Sequence, residues 1–428
     1  MKIEDVVCPF CGCLCDDLVV EVEGTKVVNV ENGCTLANEK FMGDHRLNAP
    51  IRRAGEGWEE VSYDEAIEET AAILLDADRP LLYGWSGTFG EAQSVGVHLA
   101  ELLGAVIDNT STVCHGPSIM AIQEVGHPGC TLGQVKNRAD VVVYWAANPI
   151  EAHPRHMSRY TTFCDGFFVK SAFRERKVIV VDVRETDSSQ VADEFVKVNP
   201  GGDYAVLSAL RAIVRGKRDL IPPSVEGVSR EQLFRVADLC MSAKFGAIFF
   251  GVGLTMAQGK YKNIRNAIEL TEELNRHTKF TISPMRGHWN VYGSNEVFTW
   301  ITGYPYAVDF ARGIAFYNPG ETTSVDVLRR GECDACLVVA SDPGAHFPRA
   351  CAEHLAHIPT VQIDPHVNAT THLSRIQIPV AVTGIDAEGT AYRMDGVPIR
   401  TRRLFFGNYP DDLEVLEKIY RIVREARG

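Results

Sequence analysis

The chain has 428 residues, 45% of them hydrophobic and 23% charged, and its 43 basic and 56 acidic side chains give a formal net charge of −13. This length predicts two to four domains, and the acidic balance argues against a broad nucleic-acid surface. No apolar run approaches the ~18 residues that span a bilayer, and a cysteine motif starting at Cys8 leaves no room for a signal peptide. We therefore expect a cytoplasmic protein without membrane or nucleic-acid partners, in which thiols stay reduced.

Cysteines are concentrated at the N-terminus, where five of the twelve lie within the first 34 residues. Two β-rich runs, Leu18–Val22 and Lys26–Val30, predict a hairpin that returns the chain to the first cysteines. Three thiolates from one loop and a fourth after the hairpin favour a [4Fe-4S] cluster. The alternative is a four-cysteine zinc site, but such sites usually pair two C-x2-C knuckles and the second is missing. The predicted ligands are Cys8, Cys11, Cys15 and Cys34, with Cys13 left over beside Cys11.

From about Trp58, hydrophobic periodicity alternates between helices and strands. This alternation predicts an α/β protein with doubly wound, mostly parallel sheets. The predicted helices are Tyr63–Asp76, Gly90–Leu103, Tyr204–Arg215, Ser229–Ala243, Lys262–Asn275 and Leu413–Ala426. The predicted strands are Arg79–Gly84, Ala105–Asp108, Asp140–Ala146, Lys177–Asp182, Phe195–Val198, Gly246–Phe250, Ala335–Ala340 and Thr360–Asp364.

One pattern occurs twice along the chain. Val141–Ile150 and Leu337–Ala345 both read as a strand, a turn and then Asn-Pro or Asp-Pro. Each is followed by another strand ending in aspartate, Val178–Asp182 and Val361–Asp364. Two related nucleotide-binding domains would explain the repeat, and their ligands would lie beyond the carboxyl ends of the strands.

Several residues at these strand ends suit a guanine nucleotide. Asp182 and Asp364 can accept hydrogen bonds from the N1–H and amino groups of guanine. Gly251 and Gly253 would let the backbone approach a phosphate, and Arg184 could meet a diphosphate. Each feature alone is weak, because an aspartate at the end of a parallel strand is often only a turn residue.

Cys114-His115 lies between a predicted strand and a possible helix. A lone cysteine is usually a small buried hydrophobe, and a Cys–His nucleophilic pair is disfavoured because neighbouring side chains seldom face each other. Arg286 could orient a carboxylate through two parallel hydrogen bonds, or could make an ordinary phosphate or surface contact. His288 is a weaker candidate for the same site.

Other cysteines and histidines are better explained by structure. Cys333 and Cys336 lack a partner knuckle and are expected in the core. The helical set of Cys351, His354 and His357 could bind zinc but is better read as a solvated helix face. His153 and His156 are expected to be structural.

In this order along the chain, the motifs resemble those of the molybdopterin oxidoreductases, which include formate dehydrogenases and nitrate reductases. The resemblance covers nearly the whole chain. It rests on the cysteine loop and four further segments: Ala146–Pro154 (N-P-x-x-x-H-P), Asp182–Thr186 (D-x-R-x-T), Pro200–Leu207 (P-G-x-D-x-A-x-L) and Gly384–Val397 (E-G-T…G).

The resemblance implies one [4Fe-4S] cluster and two molybdopterin (tungstopterin) guanine dinucleotides that hold tungsten or molybdenum with a sulfido ligand. Cys114 would be the protein ligand of that metal, and His115 and Arg286 would position the substrate. The cofactor-binding residues implied are Asn148, Pro149, Asp182, Arg184, Thr186, Asp203, Gly251, Gly253, Asp342, Asp364, Gly389 and Thr390.

The expected domains are a cluster domain (1–55), a first pterin-dinucleotide domain (56–112 with 245–400), a second one (113–244) and a helical tail (401–428). No segment is left for the C-terminal β-barrel of longer relatives. This arrangement, with Thr299–Asp309 and Tyr317–Thr323, resembles the B subunits of formylmethanofuran dehydrogenases, in which a small D subunit supplies the barrel.

That resemblance implies reduction of CO2 to formate with electrons from the cluster, followed by transfer of formate to an A subunit that joins it to methanofuran. The implied partners are the A, C and D subunits and ferredoxin-like subunits. Two alternatives stay open: a short formate dehydrogenase or another molybdopterin oxidoreductase, and a scaffold without catalysis. The sequence does not decide between tungsten and molybdenum.

Overall fold

The computed structural model describes residues 1–43 and 45–428. The chain divides into two compact units. Unit 1 comprises Met1–Val113, His288–Arg393 and Pro398–Gly428, and unit 2 comprises Cys114–Gly287 and Met394–Val397.

The first part of unit 1 begins with a small antiparallel sheet and continues into alternating helices and strands. Ser62 starts the second helix with a capping box, because its side chain accepts from the backbone N–H of Glu65 while the Glu65 carboxylate accepts from that of Ser62. The elements are β1 (Lys2–Val6), β2 (Leu18–Glu23), β3 (Lys26–Glu31), α1 (Thr35–Met42), β4 (Ile51–Ala54), β5 (Gly57–Glu60), α2 (Tyr63–Asp76), β6 (Pro80–Gly84), α3 (Gly90–Leu103) and β7 (Val106–Asn109).

Unit 2 is built from strands that alternate with helices. Its elements are α4 (Gly116–Val125), α5 (Leu132–Arg138), β8 (Val141–Trp145), α6 (Pro149–Ala152), α7 (His156–Tyr160), β9 (Lys177–Asp182), β10 (Glu194–Lys197), α8 (Asp203–Val214), β11 (Ser224–Val225), β12 (Val228–Ser229), α9 (Arg230–Ser242), β13 (Gly246–Phe250), α10 (Val252–Met256), α11 (Tyr261–Leu274) and β14 (Phe280–Pro284).

The remainder of unit 1 completes its sheet and ends in a long helix. Its elements are α12 (Val291–Thr302), β15 (Val308–Asp309), β16 (Phe316–Tyr317), α13 (Ser324–Arg330), β17 (Ala335–Val339), α14 (Pro343–His346), α15 (Arg349–Leu355), β18 (Thr360–Ile363), β19 (Ile376–Ile378), β20 (Thr390–Tyr392), β21 (Pro398–Arg400) and α16 (Asp412–Arg427).

The main sheet of unit 2 has five strands in the order β10-β9-β8-β13-β14. Every neighbouring pair in it is parallel. From β8 the chain continues to β9 and β10 on one side of that strand. It then returns to the other side of β8 as β13, which is followed by β14. The strand order therefore reverses between β8 and β13, and such a reversal opens a crevice for ligands at the carboxyl ends of the two strands.

The main sheet of unit 1 has nine strands in the order β16-β15-β7-β6-β17-β18-β19-β4-β5. The five strands from β7 to β19 are parallel, and the edge strands are antiparallel. Both central strands, β6 and β17, are buried along their whole length, as their apolar sequences require. The strand order reverses between β6 and β17, which repeats the topology of unit 2.

The structure confirms the α/β class and corrects one predicted domain boundary. Residues 245–287 do not join residues 56–112, because β13 pairs in parallel with β8 and β14 pairs with β13 inside unit 2. The predicted cluster domain (1–55) and tail (401–428) both group with unit 1. In the described part of the chain, no helix is long and apolar enough to cross a membrane.

Candidate active site

The N-terminal cysteines form a tight loop in unit 1. The backbone N–H of Cys8 donates to the carbonyl of Cys15 at 2.8 Å, and Cys34 immediately precedes α1. Burial, followed by the neighbouring sulfurs of Cys11, Cys15 and Cys34, raises the pKa of the Cys8 thiol well above its usual value. The hairpin of β2 and β3 thus brings Cys34 within electrostatic reach of Cys8.

Cys13 has a different part in this loop. Its thiol donates a hydrogen bond to the sulfur of Cys11, which lowers the pKa of Cys11 and raises the pKa of Cys13. Cys13 is also fully buried. It therefore supports Cys11 as a hydrogen-bond donor instead of adding a fifth ligand.

Four further thiols are present on the N-terminal loop and at the start of α1. In a zinc site with Zn–S bonds of about 2.3 Å, the sulfurs lie within roughly 4 Å of one another. Among residues 1–43 and 45–428, no three His, Cys, Asp or Glu side chains are grouped closely enough to hold a single metal ion. A [4Fe-4S] cluster is bound by four thiolates on different iron atoms. Cys8, Cys11, Cys15 and Cys34 supply four thiols, and the chemistry of this donor set matches that of the predicted cluster.

In unit 2, Cys114 lies in the turn that precedes α4. Its carbonyl accepts a hydrogen bond from Oγ1 of Thr255 at 2.8 Å. Burial raises the pKa of the Cys114 thiol to about 11, and the positive charge of Arg286 opposes that shift. The sulfur is therefore a neutral thiol at pH 7 unless a metal ion displaces its proton.

His115 is fully buried beside Cys114. Its Nε2 lies 3.2 Å from the carbonyl of Met285 and must donate, because a carbonyl only accepts. Nδ1 then accepts from Oγ of Ser118 at 2.9 Å. Burial, and then the charge of Arg286, lowers the pKa of His115 to about 3. The ring is neutral and bonded within the chain at both nitrogens, so it would have to release one bond to carry a proton.

Arg286 follows β14 and is only 5% exposed. Its carbonyl accepts from Nε2 of His153 at 2.8 Å, which fixes the backbone at this point. Burial, and to a smaller extent the charge of Arg286, lowers the pKa of His127. Unit 2 therefore brings Cys114, His115 and Arg286 together, with His153 as a support.

The strand ends of unit 2 carry the predicted dinucleotide residues. Ala146 follows β8 with a φ of +48°, and a Cβ at Gly251 would lie 2.3 Å from the Ala146 carbonyl oxygen. Only glycine permits this approach. Oδ1 of Asn148 accepts from Oγ of Ser188 at 2.5 Å, whereas its buried Nδ2 has no partner among the described residues. Asp182 accepts from the backbone N–H of Val183 at 2.7 Å.

Unit 1 repeats this arrangement. Ala340 follows β17 with a φ of +49°, and a Cβ at Gly87 would lie 2.7 Å from the Ala340 carbonyl oxygen. Asp342 caps α14 and accepts from the N–H and Oγ1 of Thr370 at 2.8 Å and 2.7 Å. The internal repeat seen in the sequence is therefore a repeat of backbone conformation.

A cavity of about 240 Å³ opens at this edge of unit 1, and its lining includes Gly87, His288, Asp364 and Asp412. Burial raises the pKa of Asp364 and of Asp412 to about 7 each. Oδ2 of Asp412 accepts from Oγ1 of Thr88 at 2.9 Å, and its buried Oδ1 has no partner among the described residues. Two such carboxyl groups fit a ring that carries amino and N–H donors, as pterin and guanine do.

The other predicted cofactor residues have partners within their own unit. Oδ1 of Asp203 accepts from Nε1 of Trp145 at 2.8 Å, and Oγ1 of Thr390 donates to Glu91 at 2.9 Å. The last residues are placed as follows: Pro149 at the first position of α6, Arg184 exposed after β9, Thr186 capping a 3-10 turn, Gly253 in α10 and Gly389 against the Phe89 ring. His288 belongs to unit 1, whereas Arg286 belongs to unit 2.

Sequence reasoning missed Asp412 and Gly87. Asp412 is the second aspartate of Pro-Asp-Asp at the start of α16, and that pattern predicts only a helix cap. Gly87 lies shortly after β6, as Gly251 lies after β13, and these two strands are the neighbours of the repeated segments that begin at β17 and β8. Gly87 could therefore have been predicted from the repeat.

Known proteins resemble this chain in sequence and in fold. The sequence profile of the molybdopterin oxidoreductase family matches residues 46–285, more than half of the chain. The chain therefore belongs to the molybdopterin oxidoreductases. It is 51% identical to the B subunit of the tungsten-containing formylmethanofuran dehydrogenase 2 of Methanocaldococcus jannaschii, over 99% of both chains. The Methanococcus maripaludis protein of that name is 48% identical, again over 99% of both. Within its class, the chain is a member of the formylmethanofuran dehydrogenase B subunits.

More distant relatives share the fold. Formate dehydrogenase H of Escherichia coli is 24% identical over 80% of this chain and 57% of its own length. A chain of the formyltransferase/hydrolase complex of Methylorubrum extorquens superposes with a TM-score of 0.73 at 21% identity, covering 88% of this chain and 99% of that one. Acetylene hydratase of Pelobacter acetylenicus gives 0.72 at 14% identity, with coverage of 99% and 70%.

Proposed function

We propose that this chain is the catalytic subunit of a formylmethanofuran dehydrogenase and reduces CO2 to formate at a tungsten or molybdenum centre. The observation that carries the proposal is the grouping of the partly exposed Cys114 with the buried side chains of His115 and Arg286. Identity of 51% along the whole chain to a tungsten-containing relative supports the reaction.

Each residue has a distinct part. The Cys114 thiol loses its proton when it becomes a metal ligand, and a thiolate suits a soft, sulfur-rich centre. A bound metal would supply two electrons received through the cluster, and CO2 with these electrons and one proton gives formate. Arg286 donates parallel hydrogen bonds to the two substrate oxygens and stabilises the negative charge that develops on them. Neutral His115 holds the Met285 carbonyl and so fixes the backbone next to Arg286.

The other cofactors would be bound by further residues of this chain. The residues Cys8, Cys11, Cys15 and Cys34 would bind a [4Fe-4S] cluster that receives the electrons. One pterin guanine dinucleotide would lie at Asn148, Asp182 and Gly251 in unit 2, and the other at Asp364 in unit 1. Formate would pass to an A subunit, with C, D and ferredoxin-like subunits completing a cytoplasmic complex.

The decisive experiment compares Cys114→Ala with Cys130→Ala in the purified complex. Cys130 is a partly buried thiol of the same unit, with its sulfur 3.2 Å from Oγ1 of Thr281, and is a matched control. Cys114→Ala should abolish CO2 reduction and keep the paramagnetic signal of the reduced cluster, and the control should keep both. Turnover by Cys114→Ala would refute the assignment.

Elemental analysis of the native complex tests the cofactors directly. The proposal requires tungsten or molybdenum near one per chain and at least four irons. Iron without either metal would indicate a scaffold that carries only a cluster. Zinc alone would overturn the reading of the N-terminal cysteines as well.

A further inference from the structure

Unit 2 exposes four phenylalanines within eleven residues of one loop. Phe163, Phe167, Phe168 and Phe173 are 46%, 65%, 59% and 58% exposed. We call residues 163–173 the phenylalanine loop. The rings of Phe167 and Phe168 meet edge to face at 4.8 Å, and those of Phe163 and Phe173 lie 6.4 Å apart. Apolar groups exposed together in this way are a mark of a binding surface.

The loop is held in one conformation by buried polar contacts. The guanidinium of Arg176 is fully buried and donates to the carbonyls of Ala139 at 3.0 Å, Lys136 at 2.5 Å and Cys164. The backbone N–H of Phe168 donates to the carbonyl of Asn137 at 2.9 Å. A surface fixed before binding loses little conformational entropy when a partner arrives.

Positive charge surrounds the rings. Arg138 lies 4.9 Å over Phe168, Lys170 4.8 Å over Phe167 and Arg174 6.0 Å over Phe173. Besides the buried Arg176, the segment from Arg155 to Lys177 has five basic and two acidic side chains, although the whole chain carries a net charge of −13. The loop is therefore a basic, aromatic island on an acidic protein.

We propose that the phenylalanine loop docks a companion protein of the same enzyme, through a surface with an apolar depression inside an acidic rim. Aromatic and arginine side chains are the residues that dominate protein interfaces, and an acidic rim would complement the cations around the rings. The proposal goes beyond the catalytic function, but the existence of a companion protein rests on the proposed multisubunit enzyme.

Two other occupants fit less well. In a twofold dimer of this chain, the basic island would face its own copy, and like charges would oppose each other. An anionic lipid surface would attract the island but repel a chain with a net charge of −13. A rigid loop also lacks the long amphipathic helix that usually lies on membranes.

The test uses the complex purified through a tag on this chain. The variant Phe167→Ser/Phe168→Ser should lose one companion subunit, with its yield relative to this chain falling at least about tenfold, as for an interface hot spot. Leu220→Ser is the control, because Leu220 is a 69% exposed side chain of the same unit. Lys170→Glu/Arg174→Glu should weaken the same subunit more at low salt than at high salt, whereas Lys217→Glu/Lys244→Glu should not.

Circular dichroism and the iron content of each variant must match the wild type, so that loss of a subunit reports docking. If folded variants of both kinds keep every subunit at the wild-type ratio, the proposal is wrong. If the loop variants instead abolish flotation with anionic vesicles, or change only self-association of the isolated chain, the occupant is a membrane or a second copy and the proposal is overturned.

Discussion

Replacing Asp412 with asparagine tests the electrostatics of the unit 1 cavity. Oδ2 of Asp412 accepts from Thr88, and burial, together with the charges of Asp411 and Asp364, raises its pKa from 3.8 to about 7. Asparagine keeps an oxygen acceptor for Thr88 and cannot ionise. The substitution therefore isolates the cost of the buried charge.

The sign of the effect follows from the raised pKa. A carboxyl whose folded-state pKa exceeds its unfolded value contributes stability that is fully present below the unfolded value and lost as pH rises through the folded one. A shift from 3.8 to about 7 corresponds to roughly 4 kcal/mol lost above pH 7, of which about 1.5 kcal/mol is already lost at pH 5. Because Asp364 titrates in the same cavity, part of this cost belongs to the pair. We expect Asp412→Asn to raise the free energy of unfolding by about 2 kcal/mol more at pH 8 than at pH 5.

The assay is urea unfolding of the cofactor-free full chain at both pH values, followed by tryptophan fluorescence. Asp64→Asn is the control, because the Asp64 side chain is 81% exposed. Equal gains at pH 5 and pH 8 would refute the reasoning. In the cofactor-loaded protein Asp412→Asn should instead lower the free energy of unfolding, because amino groups that donate to Asp412 stabilise its charged form.

Three further variants probe other features. Gly251→Ala places a Cβ 2.3 Å from the Ala146 carbonyl oxygen, so the amount of guanine released from the denatured complex should fall by about half or more. Gly133→Ala is the control and should leave that amount unchanged, because the nearest atom to its Cβ is 3.7 Å away. Arg286→Lys loses the paired hydrogen bonds and should lower kcat/KM about a hundredfold at unchanged tungsten or molybdenum content; wild-type kinetics would contradict the role of Arg286. Arg176→Met leaves three carbonyls without their donor, so the free energy of unfolding should fall by about 3 kcal/mol, and an unchanged urea midpoint would show that the loop does not need this anchor.

Local patterns predicted much of the fold. The hairpin of β2 and β3, the capped helix α2 and the buried strands β9 and β13 lie where the periodicity placed them. Cys333 and Cys336 are core residues, as expected. These elements could be predicted because their signals are contained in a few consecutive residues.

Features that depend on distant pairing were harder to predict. The strands β4 and β5 are mostly exposed and polar, and their place comes from pairing of β4 with β19 and of β5 with β4, so their sequence signal is weak. The boundary near residue 245 was misplaced because periodicity predicts both β8 and β13 as strands but does not predict that they pair with each other. For the site, the sequence could nominate Cys114 and Arg286, whereas the carbonyl partner of His115 comes from a residue 170 positions away.

Ala146 and Ala340 give the molecule an internal replicate. Both are L-residues with left-handed φ values of +48° and +49°, a conformation that costs roughly 1–3 kcal/mol for a residue other than glycine. The same substitution by glycine can thus be made in either half of one polypeptide, with chemistry, expression and assay held constant. Any difference between the two outcomes measures how differently the two repeated turns contribute to stability and activity.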